Sequence, residues 1–288
     1  MLFQQKVFLL IHSNILPATA SLVLSIFLSA CTPGDAKEED GRIALPSSLT
    51  EISGLASASD DSVFAHDDER AVIYELRASD GEVLRSFQLG RFAVAGDFEG
   101  VATLGDRIYL ITSDGQIYDA LIGADGDRVD YQVHDSGVGE HCEVEGLSQT
   151  PSANGLLVLC KEMNRKQDRD HLHIYRWETG CEVTAAELWL KISLKDLLGG
   201  SKSKNFAPSA LEWDPQKKQL WIASARSRDL LVLSETGALI ERRKLDEERH
   251  PQAEGLTLLP DDRLILADEQ ADARSAYLTI YPGLPPQD

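Results

Sequence analysis

Cysteine, methionine and basic side chains are scarce in this 288-residue chain, and each shortage excludes something. Four Cys and two Met are too few for a disulfide-dense miniprotein or a Met-rich binding groove. No Cys-x-x-Cys pair occurs, so neither a zinc knuckle nor a thioredoxin-type redox centre is supported. Gly-x-Ser-x-Gly, a Walker loop, a dinucleotide-binding glycine turn and His-Glu-x-x-His are missing as well. Lys+Arg number 28 against 47 Asp+Glu, a formal net charge of −19. A surface that acidic repels phosphate backbones and anionic headgroups, which argues against nucleic acid as a partner. Apolar residues, at 43 %, suffice for a real core and exclude global disorder.

Residues 1–30 carry one charged side chain, Lys6, and apolar runs at 7–11 and 22–28. A short apolar stretch, then small residues and a cleavage point, is the pattern of a secretory signal. Asn14, Pro17 and Thr19 interrupt it, which weakens the alternative of a transmembrane anchor. The ending Leu28-Ser29-Ala30-Cys31 resembles the lipobox of bacterial lipoproteins. That resemblance implies cleavage before Cys31, a diacylated Cys31 as mature N-terminus, and membrane attachment through lipid. Thr32, rather than Asp, follows the Cys, so the resemblance further implies an outer-membrane lipoprotein of the bacterial cell envelope. Residues 31–40 read as an acidic flexible tether and 41–288 as the folded domain, expected as a monomer. Cys142, Cys160 and Cys181 remain, an odd count that allows at most one internal disulfide. Cys142 and Cys160 flank one expected hairpin and are the favoured pair; buried free thiols are the alternative.

A short phrase recurs along the chain: Glu51-Ile-Ser-Gly-Leu55, Glu99-Gly-Val101, Glu145-Gly-Leu147, a degenerate Ser209-Ala-Leu211, and Glu254-Gly-Leu256. Its spacings are 48, 46, 64 and 45 residues, and the long interval holds an insert at 191–205 that reads as a short helix and a Gly/Ser/Lys loop. After each phrase come short β-rich runs separated by Asp-Gly, Gly-Asp or Pro-Asp-Asp turns. Four short strands per unit at this period specify propeller blades. The last unit has only three strands, because 282–288 cannot supply a fourth, while an unassigned strand-like run stands at 41–45. The expected fold is therefore all-β, a single five-bladed propeller of four antiparallel strands per blade. An N-terminal strand would complete the last blade, leaving no open edge. A six-bladed ring would need a blade from 191–205, which is too short. The order of these phrases, with Asp97-Phe-Glu-Gly100 and Pro251-Gln-Ala-Glu-Gly-Leu256, resembles the SdiA-regulated family of bacterial β-propellers over roughly 42–281. The resemblance implies a propeller, lipid-anchored or membrane-tethered in some members; phytase-like and gluconolactonase-like propellers suggest axial calcium by analogy.

In a blade the start of the first strand lies beside the end of the second, and here both places tend to be acidic. Glu51 precedes Asp67 and Asp68 by 16 and 17 residues, Glu99 precedes Asp114 by 15, Glu145 precedes Glu162 by 17, and Glu254 precedes Asp268 and Glu269 by 14 and 15. Only the fourth unit departs, with Ser209, Ser224 and Arg226. Carboxylates converging on one channel mouth repel unless neutralised. Two roles fit them: ligands to a hard cation, for which calcium tolerates an irregular ring best, or braces accepting backbone N–H groups from neighbouring blades. Glu51, Glu99, Glu145, Glu254, Asp67 and Asp268 are the expected metal set. Lys161, Glu162, Arg226 and His66 are the expected ligand-binding set; plain salt bridges and polar surface roles are their alternatives. His141 and His250 map to the same face. Asp125-Gly-Asp127-x-x-Asp130 lacks the twelfth-position Glu of a calcium loop and reads as a hairpin turn. The functional expectation is a binding or scaffold protein offering an acidic face to a small ligand or envelope partner. The alternative is a calcium-assisted hydrolase of a phosphoester or lactone.

Overall fold

The computed structural model describes residues 38–39, 41–180, 185–199, 205–270 and 275–286. The signal segment, Cys31, most of the tether and Cys181 lie outside them. Among the described residues no helix is long and apolar enough to cross a membrane. Two short strands come first, β1 (Glu38–Glu39) and β2 (Arg42–Ala44). Blade 1 holds β3 (Ile52–Ser59), β4 (Ser62–Asp67), β5 (Arg70–Arg77) and β6 (Val83–Leu89). Blade 2 holds β7 (Phe98–Leu104), β8 (Arg107–Thr112), β9 (Gln116–Leu121) and, after the two-residue β10 (Arg128–Val129), β11 (Tyr131–Asp135). Blade 3 holds β12 (Cys142–Gln149), β13 (Gly155–Met163), β14 (His171–Glu178) and β15 (Glu187–Ser193), followed by helix α1 (Leu194–Leu198). Blade 4 holds β16 (Ala210–Asp214), β17 (Gln219–Ser224), β18 (Asp229–Ser234) and β19 (Leu239–Lys244). Blade 5 holds β20 (Ala253–Leu258), β21 (Leu264–Asp268) and β22 (Tyr277–Tyr281).

The fourth strand of blade 5 is β2, antiparallel to β22, with Arg42 opposite Thr279 and Ala44 opposite Tyr277. The expected closure therefore holds, and β1 extends the same sheet, so the last tether residues are strand. The inner strands meet in order around the axis, β3 with β7, β7 with β12, β12 with β16, β16 with β20, and β20 again with β3. Five apolar clusters fill the five seams, each drawing on two neighbouring blades. Second strands are covered on both faces, which is why β21 is buried at every position and β17 at all but its first. Outer strands meet solvent, and β6 alternates accordingly.

Two local readings are corrected. The insert begins at α1, because Lys191 to Ser193 complete β15 opposite His173 and His171. The Asp125–Asp127 stretch is not a simple hairpin turn. It crosses to blade 1, where β10 runs parallel to β6, Gln88 N donates to the Asp127 carbonyl at 3.0 Å and Ser86 N to Asp125 Oδ1 at 2.9 Å. Cys142 and Cys160 form a disulfide between β12 and β13, with Cα atoms 5.7 Å apart.

Candidate functional site: the axial acidic face

Each residue of the repeated phrase has its own task. The Gly allows the inner strands to converge: a Cβ on Gly100 would stand 2.6 Å from Leu147 N and 3.0 Å from the Gly146 Cα. The apolar third residue, in Leu55, Val101, Leu147, Leu211 and Leu256, is buried and wedges one seam each. With the residues beside them they line a space of only about 10 Å³ on the axis. The first residue is a β-bulge in four blades, where the ladder register shifts just before the Gly. Ser53, Glu99, Glu145, Ser209 and Glu254 form one polar layer above the apolar plug.

That register moves one sequence assignment. Ser53, not Glu51, is the blade 1 counterpart of Glu99, and Ser53 Oγ donates to Glu99 Oε2 at 3.0 Å. Glu51 lies outward of the layer and is exposed. There it meets Asp67 and Asp68, each residue placing a carboxylate oxygen within 4.8 Å of the others. The glycines or alanine of the phrase face His66, Ile111, Leu159, Ala223 and Ala267 across the first ladder. Two residues further on stand Asp68, Ser113, Lys161, Ala225 and Glu269. Lys161 thus occupies in blade 3 the place that blades 1 and 5 give to an acid. Its Nζ lies 2.7 Å from Glu145 Oε1 and 3.4 Å from Glu143 Oε1.

One ammonium does not discharge this face. Burial, then Glu99, pushes the Glu145 carboxyl up to about 9 despite Lys161, and burial lifts Glu254 to about 8. Burial, Asp67, Glu51, Glu99 and Glu269 together raise Asp68 to about 7. Glu99, Asp67 and Glu269 are raised as well, each chiefly by burial. Burial works against the Lys161 charge, yet Glu145 and its neighbours hold its pKa above the ordinary value. Glu145 Oε2 and Asp68 Oδ1 are buried without a hydrogen-bond partner among the described residues. Glu99 and Glu145 take their hydrogen bonds among the described residues from the Ser53 and Lys161 side chains, whereas Asp67 Oδ1 accepts the backbone N–H of Glu69 at 3.2 Å, as a brace would. Unpartnered, mutually repelling carboxylate oxygens are a donor set that fits a hard divalent cation such as calcium.

The remaining expected residues fall elsewhere. Asp268 is not in the group of Glu51, Asp67 and Asp68: it is buried, with Oδ2 2.8 Å from His250 Nδ1 and Oδ1 accepting from Gln252 N at 3.2 Å. His250 Nε2 lies 2.7 Å from the Tyr281 hydroxyl, and Glu269 takes the axial place instead. His66 does not reach the surface as a ligand-binding side chain. It is fully buried beside Gly54, Nδ1 donating to the Asp67 carbonyl at 3.2 Å, and burial lowers its pKa to about 4. A Cβ on Gly54 would stand 2.6 Å from its Nε2. His141 stacks on Tyr175. Lys161, Glu162 and Arg226 do come together, lining a 560 Å³ cleft between blades 3 and 4. Asp68, Glu269, Ser53 and Glu143 belong to the face and stood outside the expected metal set; counting back from each Gly, rather than from each Glu, finds Ser53.

The model of the SdiA-regulated family matches residues 191–278, which span the end of blade 3, blade 4 and most of blade 5. No match to a curated protein was found. The PQQ-bound form of aldose sugar dehydrogenase from Streptomyces coelicolor is similar in fold, at 15% identity and a TM-score of 0.52, over 80% of this chain and 94% of that one. A luciferin-regenerating enzyme matches at 10% identity and a TM-score of 0.48, over 80% and 91%. A nidogen/laminin complex matches at 19% and 0.46, over 81% and 86%. At such identities the likeness concerns the fold alone. Residues 191–278 thus match the SdiA-regulated family, and the chain is an all-β, five-bladed propeller.

Proposed function

We propose that this is a binding propeller of the bacterial cell envelope, lipid-anchored through Cys31, whose acidic axial face takes a divalent cation, calcium by the chemistry of its donors. The observation that carries the reading is the cluster of Glu51, Asp67 and Asp68 oxygens within 4.8 Å, with Asp68 Oδ1 and Glu145 Oε2 left unpartnered. Carboxylates so placed accept a doubly charged hard ion more readily than a second ammonium. Glu51, Asp67 and Asp68 would hold the ion, while Lys161 already serves Glu145 deeper in the layer. A bound ion would polarise an oxygen ligand presented to the face. Of the histidines that the hydrolase alternative would use as a base, His66 is buried and both ring nitrogens of His250 are engaged by Asp268 and Tyr281, which leaves the exposed His141, stacked on Tyr175. Elemental analysis of the purified protein, with melting curves in calcium and in chelator, tests the reading. About one calcium per chain and a lower melting temperature in chelator are expected. No metal and an unchanged melt would overturn it.

A further inference from the structure

The five blades share one inner phrase, so a blade that departs from the others marks a place where folding does not dictate the residues. Blade 4 departs at every acidic position of the face. Ser209 stands in the polar layer, Ser224 where blades 1 and 5 have Asp67 and Asp268, Ala225 where they have Asp68 and Glu269, and Arg226 where blades 1, 2 and 3 have Glu69, Asp114 and Glu162. The 560 Å³ cleft opens at this break, within the range of about 300–1,000 Å³ typical of small-molecule sites.

The cleft has a built wall. Ser224 is fully buried; its Oγ donates to the Ala207 carbonyl at 2.7 Å and accepts from Ala207 N at 3.2 Å. The clamp holds Ala207, next in the chain to Phe206, which with Leu172 and Leu194 supplies the apolar part of a lining that is otherwise largely polar. The carboxylates at the rim are already matched, Glu162 with Arg169 at 2.6 Å and Glu143 with Lys161 at 3.4 Å. Arg226 is exposed at the mouth and makes no hydrogen bond or ion pair with the described residues, in a chain that carries 47 acids. A guanidinium left open beside a small apolar patch suits a planar anion carrying a short apolar body.

We propose that the cleft between blades 3 and 4 is a binding site for a small carboxylate with an apolar body. Arg226 takes the carboxylate, and Phe206, Leu172 and Leu194 cover the body. The cleft shares Lys161 and Glu143 with the axial face but none of Glu51, Asp67 and Asp68, the residues proposed to hold the cation. Calorimetric titration of the full chain with octanoate, octylamine, octanol and inorganic phosphate tests the assignment. Octanoate is expected to bind, and to bind at least about tenfold more tightly than the other three, because a charge-assisted pair and apolar cover are both needed. Arg226→Gln should weaken octanoate by at least about tenfold without moving the melting temperature, and Arg226→Lys should fall between. Equal binding of octanol, equal binding of phosphate, no binding of octanoate, or an unaffected Arg226→Gln would each overturn the proposal. Calcium content should be the same in Arg226→Gln as in the parent, so this site and the cation site fail separately.

Discussion

Blades 1 and 4 close the same ring with the same inner phrase, yet they treat its upper face in opposite ways. Blade 1 offers Asp67, Asp68 and Glu69 after its second strand, with Glu51 at arm's length. Blade 4 offers Ser224, Ala225 and Arg226, and its hydroxyls are consumed internally, Ser209 donating to the Ala253 carbonyl at 2.6 Å. Both blades pack equally well: Leu55 and Leu211 are each buried in a seam. A propeller blade therefore folds without its acids. What blades 1 and 4 share is the small residue and the apolar residue of the phrase, while the acids differ between them.

Three experiments break or sharpen that contrast. Gly100→Ala attacks what the blades share, since its Cβ would press on Leu147 N at 2.6 Å. A loss of about 3 kcal/mol is expected in denaturant unfolding, the upper end for overpacking against backbone. The second test isolates the acids. A carboxyl with a raised folded pKa keeps its proton longer in the folded chain than in the unfolded one. From about pH 7 upward the unfolded His66 is mostly neutral, as the buried one is, and the unfolded acids are fully ionised. As pH climbs through about 7, 8 and 9, Asp68, Glu254 and Glu145 must ionise within the fold, and the stability their protonated forms gave is lost. Protein held in chelator should therefore melt lower at pH 9 than at pH 7. Asp68→Asn should raise stability by roughly 1 kcal/mol after solvent screening at both pH values, because a group with a folded value of about 7 is already largely ionised across this window. A flat profile would mean that burial and mutual repulsion do not hold these carboxyls above their ordinary values. Ser224→Ala is the mildest change, removing the clamp on Ala207 at a cost of about 1 kcal/mol, read by thermal melting.

Much of this architecture is legible in the sequence because propeller repeats are local. Each blade is one contiguous stretch, so the phrase spacing, the five-fold count and the Cys142–Cys160 hairpin all lie within reach of pattern. The site is less so. Whether Glu51 or Ser53 belongs to the axial layer depends on a bulge, and a bulge is a property of strand pairing rather than of one strand. Asp67 and Asp268 occupy equal register positions, yet His250 draws Asp268 inward, a contact made by a loop that no period specifies. The crossing of residues 125–129 to blade 1 is hidden for the same reason, since its partner strand lies in another unit.

The pairing of β2 with β22 also sets an order of events during synthesis. Four blades can form as soon as their own stretch of chain has left the ribosome, but the fifth waits for Tyr277–Tyr281 before β2 finds its place. Until then the side of blade 1 that carries Ile52, Leu55 and Val63 has nothing to lie against. A nascent or truncated chain would hold an uncovered oily flank and an unpaired strand at the same moment. The half-made protein is therefore the vulnerable species, and a holding chaperone would have its work to do before the final five-residue strand arrives.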